Sequence, residues 1–510
     1  MFEQSLTCAF LMWFKKLLLS YKDSAIYALI LRVAAAVRGV FERSITRNYI
    51  IGTTKFQSKY SSSVFYHAIS SAVNWFLGVS ERVYAFFALK ARGGITNAAF
   101  SLVHSSGYFR FEYILAAFFA LMMVVPGAMW NNAYAVIGAV MFCALYYLVR
   151  LSGRAFGTDF KALPVSLVAF MVAIAGGVLM TPVRSDGIRI ALFFVSAIMF
   201  AILIWGSVRD EKTLRVFVTF MVSALFVMCL YAVYQNFVGV PTDILLTDVN
   251  TNSGMPGRVY STFDNPNNFA EAIVLIVPFV YAMIIASDHK LAKLSFVAVF
   301  AVCMAALAMS YSRSCYVAFA ISTIVFALLY DWRLLLPLGI IALVCIPFLP
   351  HSVMSRILTI GSMEDTSNSY RIYLWEGVLK LVRHSGLTGI GIGPEAFAKA
   401  YPPFASIWAS KAPHSHMLYL ELLVELGVVG AASFLAFMFF ALKKGLAAYN
   451  RTGKTCRCII IAAISAFAGI SFTSCAEYIW FYPRVMFVFW IVLGVLLAAV
   501  RCGKKNSLSD

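Results

Sequence analysis

Residues 369–397 read SYRIYLWEGVLKLVRHSGLTGIGIGPEAF, and residues 411–430 read KAPHSHMLYLELLVELGVVG. The stretch from Ser369 to Gly430 sets an arginine, a basic amphipathic helix, a run of glycines and two histidines ahead of a long apolar segment. Most of the remaining chain suits lipid. Of its 510 residues, 61% are hydrophobic and 13% charged, and the mean hydropathy is +0.83. A soluble protein of this composition would carry more apolar surface than one core can hide, so the chain reads as an all-α polytopic membrane protein.

The formal net charge is +18. The lysines and arginines are scattered between apolar segments, as expected of residues that fix topology at an anionic leaflet, and this excludes nucleic acid as the expected partner. The ten cysteines fall inside apolar segments or beside lysine-rich loops, as Cys456 and Cys458 do, and suggest neither a disulfide framework nor a zinc site.

Upstream, residues 1–107 are apolar but interrupted by charge too often to leave a clean span of about twenty residues. They read as an interfacial helical extension on the cytoplasmic side, with Ile26, Ile30, Val33 and Val37 on one stripe and Arg32 and Arg38 off it. No small-residue cleavage site follows the first apolar run, so a cleaved signal peptide is not expected.

From Tyr113 onward the hydropathy pattern predicts about twelve transmembrane helices, at 112–128, 132–150, 163–182, 188–206, 215–238, 267–286, 293–310, 314–331, 333–350, 416–442, 456–475 and 482–501. With the N-terminus cytoplasmic, the basic clusters at 150–161, 209–215, 290–293 and 443–457, and the tail 502–510, all fall on the cytoplasmic side. The chain then divides into the extension 1–107, helices 1–9 over 108–350, a large extracytoplasmic loop 351–415 containing amphipathic helices, helices 10–12 over 416–501, and the tail. Residues 239–266, the turn at Ser310–Ser314 and the turn at 476–482 share the outer face with the large loop.

Arg258, Arg313, Arg371 and His416 gather on that face. Any one arginine at a span end is most often a snorkelling anchor. Arg371 is more informative. On a helix from Ser369, Arg371 shares a stripe with Trp375, Val378 and Val382, while Lys380 points away. An arginine in an apolar stripe at a helix N-terminus suits a phosphate partner, although a lipid headgroup or Glu376 could also pair with it. His416 is suited to accept a proton from a hydroxyl, and His414 is the other histidine in reach. Helical spacing puts Gly427 and Gly430 below His416 as a small-residue groove for another helix or a lipid chain. Glu421 and Glu425 read as hydrogen-bond acceptors for neighbouring helices; alternatively one of them orients the histidine. The glycines of GLTGIGIGP follow a helix and no strand, so they read as turn residues with no dinucleotide role. No Asp-x-Asp pair, His-Glu-x-x-His or cysteine set lies in the outer loops, and two histidines without a third ligand make no metal site, so no metal or other cofactor is expected.

The combination of Asn265-Pro266-Asn267, Ser312-Arg313, Arg371 with Trp375, and His416 with Gly427 and Gly430 resembles the O-antigen ligase-related membrane glycosyltransferases, over about residues 110–500. The family histidine is commonly followed by Asn, Ser or Gln, whereas Met417 follows His416 and the serine follows His414. The resemblance implies a GT-C-like fold and inverting, metal-independent transfer of a glycan from a polyprenyl-diphosphate carrier outside the cytoplasmic membrane. It implies Arg258, Arg313 and Arg371 as the diphosphate clamp, His416 as base, and the groove as a seat for the polyprenyl chain. The acceptor is left open: a growing glycan for a polymerase, or a lipid, cell-wall or protein anchor for a ligase, with the histidine-to-glycine spacing closer to the ligase. A transporter is the competing class, but its ionisable groups are usually near the bilayer midplane. Here only Glu271, Glu421 and Glu425 come near it.

Overall fold

A computed structural model describes residues 110–151, 164–240, 257–361, 366–386 and 388–506, with scattered positions before residue 110. The chain divides into two compact units, Met1–Asn74 and Trp75–Asp510, and the following concerns the second from Arg110 onward. The interfacial helices expected over 1–107 and the centre of the 239–266 loop lie outside the described residues.

The described residues are helical and contain no strand. In order they form α1 (Phe111–Val124), α2 (Ala133–Leu151), α3 (Val165–Met180), α4 (Arg184–Ser207), α5 (Glu211–Val238), α6 (Pro266–Ala286), α7 (Lys290–Ser310) and α8 (Arg313–Asp331). There follow α9 (Leu335–Cys345), α10 (His351–Leu358), α11 (Thr366–Ser385), α12 (Pro394–Ala400), α13 (Leu418–Ala448), α14 (Lys454–Thr473) and α15 (Pro483–Asn506).

Among the described residues, eight helical segments are long and apolar enough to cross a membrane, and α1, α2 and α3 add shorter apolar helices. The twelve expected spans map onto these eleven segments because 314–331 and 333–350 both fall within Arg313–Phe348. At about 1.5 Å per residue, those 36 residues exceed a hydrocarbon core of about 30 Å. The chain bends there, at a short 3-10 turn, Trp332–Leu334, between α8 and α9.

Sequence decides where each helix starts. Asn265 caps α6 by accepting the Asn267 N–H at 2.8 Å, with Pro266 in the first turn, where a missing N–H costs nothing. Asp210 caps α5 by accepting from Thr213. The most apolar stretch of α15 is 94% buried and that of Arg313–Phe348 only 11%, so α15 runs through the middle of the bundle and the α8–α9 segment lies at its edge. Trp490 of α15 stacks between Phe170 of α3 and Phe437 of α13. A Cβ at Gly494 would lie 2.8 Å from the Ala201 carbonyl, which shows how closely α4 approaches α15.

Much of the long loop packs around one small core that it shares with the start of α13. Leu374, Val378 and Leu381 of α11 are buried with Phe397, Tyr401, Leu420 and Val424, so α11 lies on α12 and on the first turns of α13. The buried stripe thus runs through Leu374 where the sequence reading placed Trp375.

Helix α13 is interrupted. Gly427 has φ 66° and ψ −173°, a conformation essentially confined to glycine. The carbonyls of Val424 and Glu425, which the break leaves without helical donors, accept from Ile390 N–H at 2.8 Å and Gly391 N–H at 3.2 Å. The glycine-rich turn of the long loop is therefore bonded into a membrane helix, satisfying backbone that lipid cannot.

Candidate active site

The turn between α14 and α15 supplies the centre. Leu418 N–H, at the first turn of α13, donates to the carbonyls of Ser474 and Glu477, and this docks the turn against the histidine segment. The Glu477 side chain then meets residues from three other elements. Arg371 of α11 donates Nη2–H to Glu477 Oε1, Asn267 of α6 donates to the same oxygen at 3.4 Å, and His416 Nδ1 lies 3.6 Å from Oε2. Burial pushes the Glu477 carboxyl up, but Arg371 above all, with His416 and His414, outweighs burial and holds it at about 2. Glu477 is therefore a carboxylate at neutral pH, and its charge faces one edge of His416.

Asn267 links this carboxylate to a second arginine. Its Oδ1 accepts from Arg258 Nη2 at 2.6 Å, and Arg258 Nε donates to the Ser310 carbonyl at 2.9 Å. Arg258 is buried. Burial first, then repulsion from Arg356, lowers its guanidinium to about 10. Arg356, on the short amphipathic helix α10, donates Nε–H to the Tyr311 carbonyl at 3.2 Å. The turn at Ser310–Ser314, where Tyr311 is left-handed (φ 52°), is thus gripped by two arginines. Arg313 Nη1 donates to the Thr359 carbonyl at 3.2 Å, joining α8 to the end of α10.

His416 is not on a helix. It stands two residues before α13 with φ 52°, and every group around it fixes that geometry. Its N–H donates to His414 Nδ1 at 3.1 Å, which requires that nitrogen to be unprotonated. The Ser415 N–H donates to Glu421 Oε2 at 2.6 Å, and the Ser415 carbonyl accepts from Trp375 Nε1 at 3.0 Å. His414 is buried with its ring centroid 4.2 Å from that of His416 and 4.3 Å from that of Phe481. Burial, then the neighbouring His416, lowers His414 to about 3. His414 is therefore neutral and holds the backbone of its neighbour.

The other expected residues have definite places. Glu425 Oε1 accepts the Gly393 N–H at 2.8 Å, so both glutamates of α13 bind loop backbone and neither meets His416. Gly427 faces Gly389, where a Cβ would lie 2.7 Å from Gly427 N, and Gly430 packs on Leu426 and Ala173. Chain fills the space where spacing suggested a groove: the 389–392 turn and α3 lie there. The spacing argument assumed a continuous helix from His416, and the helix begins later and breaks at Gly427.

Sequence reasoning passed over Glu477 and Arg356. Each left a signal: Glu477 is the one acidic residue in the 476–482 turn, and Arg356 lies three residues after Val353 on the buried face of α10. Among the described residues no group of three or more His, Cys, Asp and Glu is placed to hold a metal.

Residues 296–435, from α7 into α13, match the family model described as O-antigen ligase. Over that stretch the chain is similar to the O-antigen ligase family. The matched stretch carries Arg313, Arg356, Arg371, His414, His416, Gly427 and Gly430, whereas Arg258 and Glu477 lie outside it. No curated protein matches the chain. Members of that family are generally glycosyltransferase-like enzymes.

Proposed function

We propose that the protein transfers a glycan from a polyprenyl-diphosphate carrier to an acceptor hydroxyl, on the outer face of the cytoplasmic membrane, in cell-surface polysaccharide biosynthesis. The observation that carries this reading is a histidine beside a buried carboxylate that Arg371 holds directly and Arg258 reaches through Asn267. The Arg258–Asn267–Glu477–Arg371 chain thus ties two guanidiniums to the carboxylate that faces His416. Arg356 and Arg313 are tied into the same turn and helix.

The chemistry follows from the charges. His416 Nε2 accepts the acceptor's hydroxyl proton as the oxygen attacks the anomeric carbon. The bond from that carbon to the diphosphate oxygen breaks, and its electron pair leaves on the diphosphate. Arg371, Arg258, Arg313 and Arg356 offset that charge, and the Glu477 carboxylate stabilises the imidazolium. Attack opposite the leaving group inverts the configuration. No metal takes part in this scheme.

Both termini are then cytoplasmic and the long loop is outside, in keeping with the basic clusters between helices. A polymerase would use the same centre with a growing glycan as acceptor. A transporter is disfavoured because the buried carboxylates Glu421 and Glu425 each bind loop backbone through one oxygen, a structural use that the midplane ion sites of transporters do not share.

The test is incubation of purified protein with glycan-loaded carrier and lipid extract, with mass analysis of what gains sugar. His416→Ala should bind polyprenyl diphosphate and transfer nothing; transfer by that variant removes His416 as the base.

A further inference from the structure

The base and its carboxylate stand close but do not bond. His416 Nδ1 is buried and has no hydrogen-bond partner, because Glu477 Oε2 lies 3.6 Å away, beyond the reach of a hydrogen bond. What holds the carboxylate is on its other oxygen. Arg371 of α11 and Asn267 of α6 both donate to Oε1, and Asn267 is itself oriented by Arg258, which donates to its Oδ1 at 2.6 Å. The backbone of the histidine segment is pinned: the His416 N–H donates to His414, the Ser415 N–H donates to Glu421, and the Ser415 carbonyl accepts from Trp375. Closing the gap therefore needs the carboxylate to turn, and the two donors on Oε1 oppose that.

The gap matters for proton transfer. An unbonded Nδ1 leaves the tautomer of a neutral imidazole undecided, whereas an Nδ1–H donated to a carboxylate leaves Nε2 with the lone pair. Only that second form presents a base at Nε2. The arginines that restrain Glu477, Arg371 directly and Arg258 through Asn267, are also those given above to the donor's diphosphate. A diphosphate competes well for them, because it carries more charge than a carboxylate and offers more oxygens to a planar guanidinium. The side chains of Arg371 and His416 are 17% and 27% exposed, so a ligand can reach both.

We propose that Arg371 and Asn267 are positioning residues that form a latch, keeping Glu477 from His416 until the donor's diphosphate draws Arg371 and Arg258 to itself. The freed Oε2 then accepts the Nδ1–H, and Nε2 becomes the base. Donor binding thus arms the histidine, and the order of events is donor first and proton acceptance second. The proposal rests on the transferase reading and adds to it the control of the base. The titratable and charged groups that face His416 are Glu477 from the α14–α15 turn, Arg371 and Tyr370 from α11, and His414 from its own segment. With His414 held at about 3 and the Tyr370 hydroxyl pushed up by burial, neither exchanges protons near neutrality.

The test follows the imidazole resonances of the full chain in nanodiscs, labelled with nitrogen-15 at histidine. His416→Gln identifies the signal of interest among the seven histidines, and polyprenyl diphosphate without sugar is the probe. Closing the gap from 3.6 Å to about 2.8 Å, at an effective dielectric of about 20, should raise the titration of His416 by about one pH unit when the probe is added. Its neutral form should settle on the tautomer with the proton on Nδ1. In Glu477→Gln the probe should bind and the rise should be lost. Arg371→Ala should show the raised titration and the fixed tautomer before any probe is added. An equal rise in Glu477→Gln, as the field of the diphosphate alone would give, or Arg371→Ala titrating as wild type does, would overturn the latch. Binding to wild type with His416 unmoved would overturn the latch alone, whereas absence of binding would overturn the transferase reading with it.

Discussion

Replacing Glu477 with Gln removes one charge and keeps nearly the same shape. The amide oxygen can still accept from Arg371, so the α11 contact is weakened and not abolished. What is lost is the negative charge 3.6 Å from His416 Nδ1. When His416 takes up a proton in the transition state, that charge contributes about 332/(20 × 3.6) kcal/mol, or roughly 4–5 kcal/mol at an effective dielectric of about 20. At about 1.4 kcal/mol per decade this corresponds to at most a ~10³-fold fall in the rate of transfer. The assay is single-turnover transfer at saturating carrier, with carrier affinity measured separately. A kcat loss of two to three decades, with affinity changed little, is the expected result. A Gln variant transferring within about threefold of wild type would refute the assignment of Glu477 as the partner of His416.

The same carboxylate fixes an acid sensitivity. With its pKa depressed from 4.5 to about 2, Glu477 contributes stability that is complete above the unfolded value and lost as pH falls from about 4.5 toward 2, of order 3 kcal/mol in all. Thermal melts of wild type and Glu477→Gln should therefore converge as pH drops through that window. His414, held at about 3 against an ordinary 6.5, adds a loss that begins as pH falls below about 6.5, because the unfolded chain takes up the proton first; His414→Ala should flatten that part of the profile. His414→Asn, which restores an acceptor for the His416 N–H, should recover transfer that His414→Ala loses, and recovery failing with Asn would argue against a positioning role. Arg371→Lys keeps charge without the planar fork, so carrier binding should weaken by about tenfold, and unchanged affinity would remove Arg371 from the clamp. Gly427→Ala places a side chain at φ 66°, and should lower stability by about 1–3 kcal/mol, read as a lower melting temperature.

Some of this site is legible in the sequence. Arg371 stands out because a charge in an apolar helical stripe needs a partner, and the histidines stand out because so little else in the chain can move a proton. The spans are legible because lipid enforces long apolar runs. Glu477 is not legible as the partner of His416: the two are brought together by the docking of the α14–α15 turn on α13, a contact without periodicity. The roles of Glu421 and Glu425 are hidden for a related reason. Their partners are backbone N–H groups at Ser415 and Gly393, which every residue but proline possesses. The break at Gly427 escapes notice because glycine is common in membrane helices, and only the incoming 389–391 turn shows that this one interrupts the ladder.

That interruption has a consequence for exchanging parts between relatives. The long loop is joined to the bundle at its two ends and again in its interior, where Ile390 and Gly391 bond to α13 between them. A chimera that receives a foreign loop 351–415 would leave the Val424 and Glu425 carbonyls without donors, inside a membrane. The loop and the first ten residues of α13 therefore form one exchangeable cassette, and specificity carried by the loop can be transplanted only with the broken helix that anchors it.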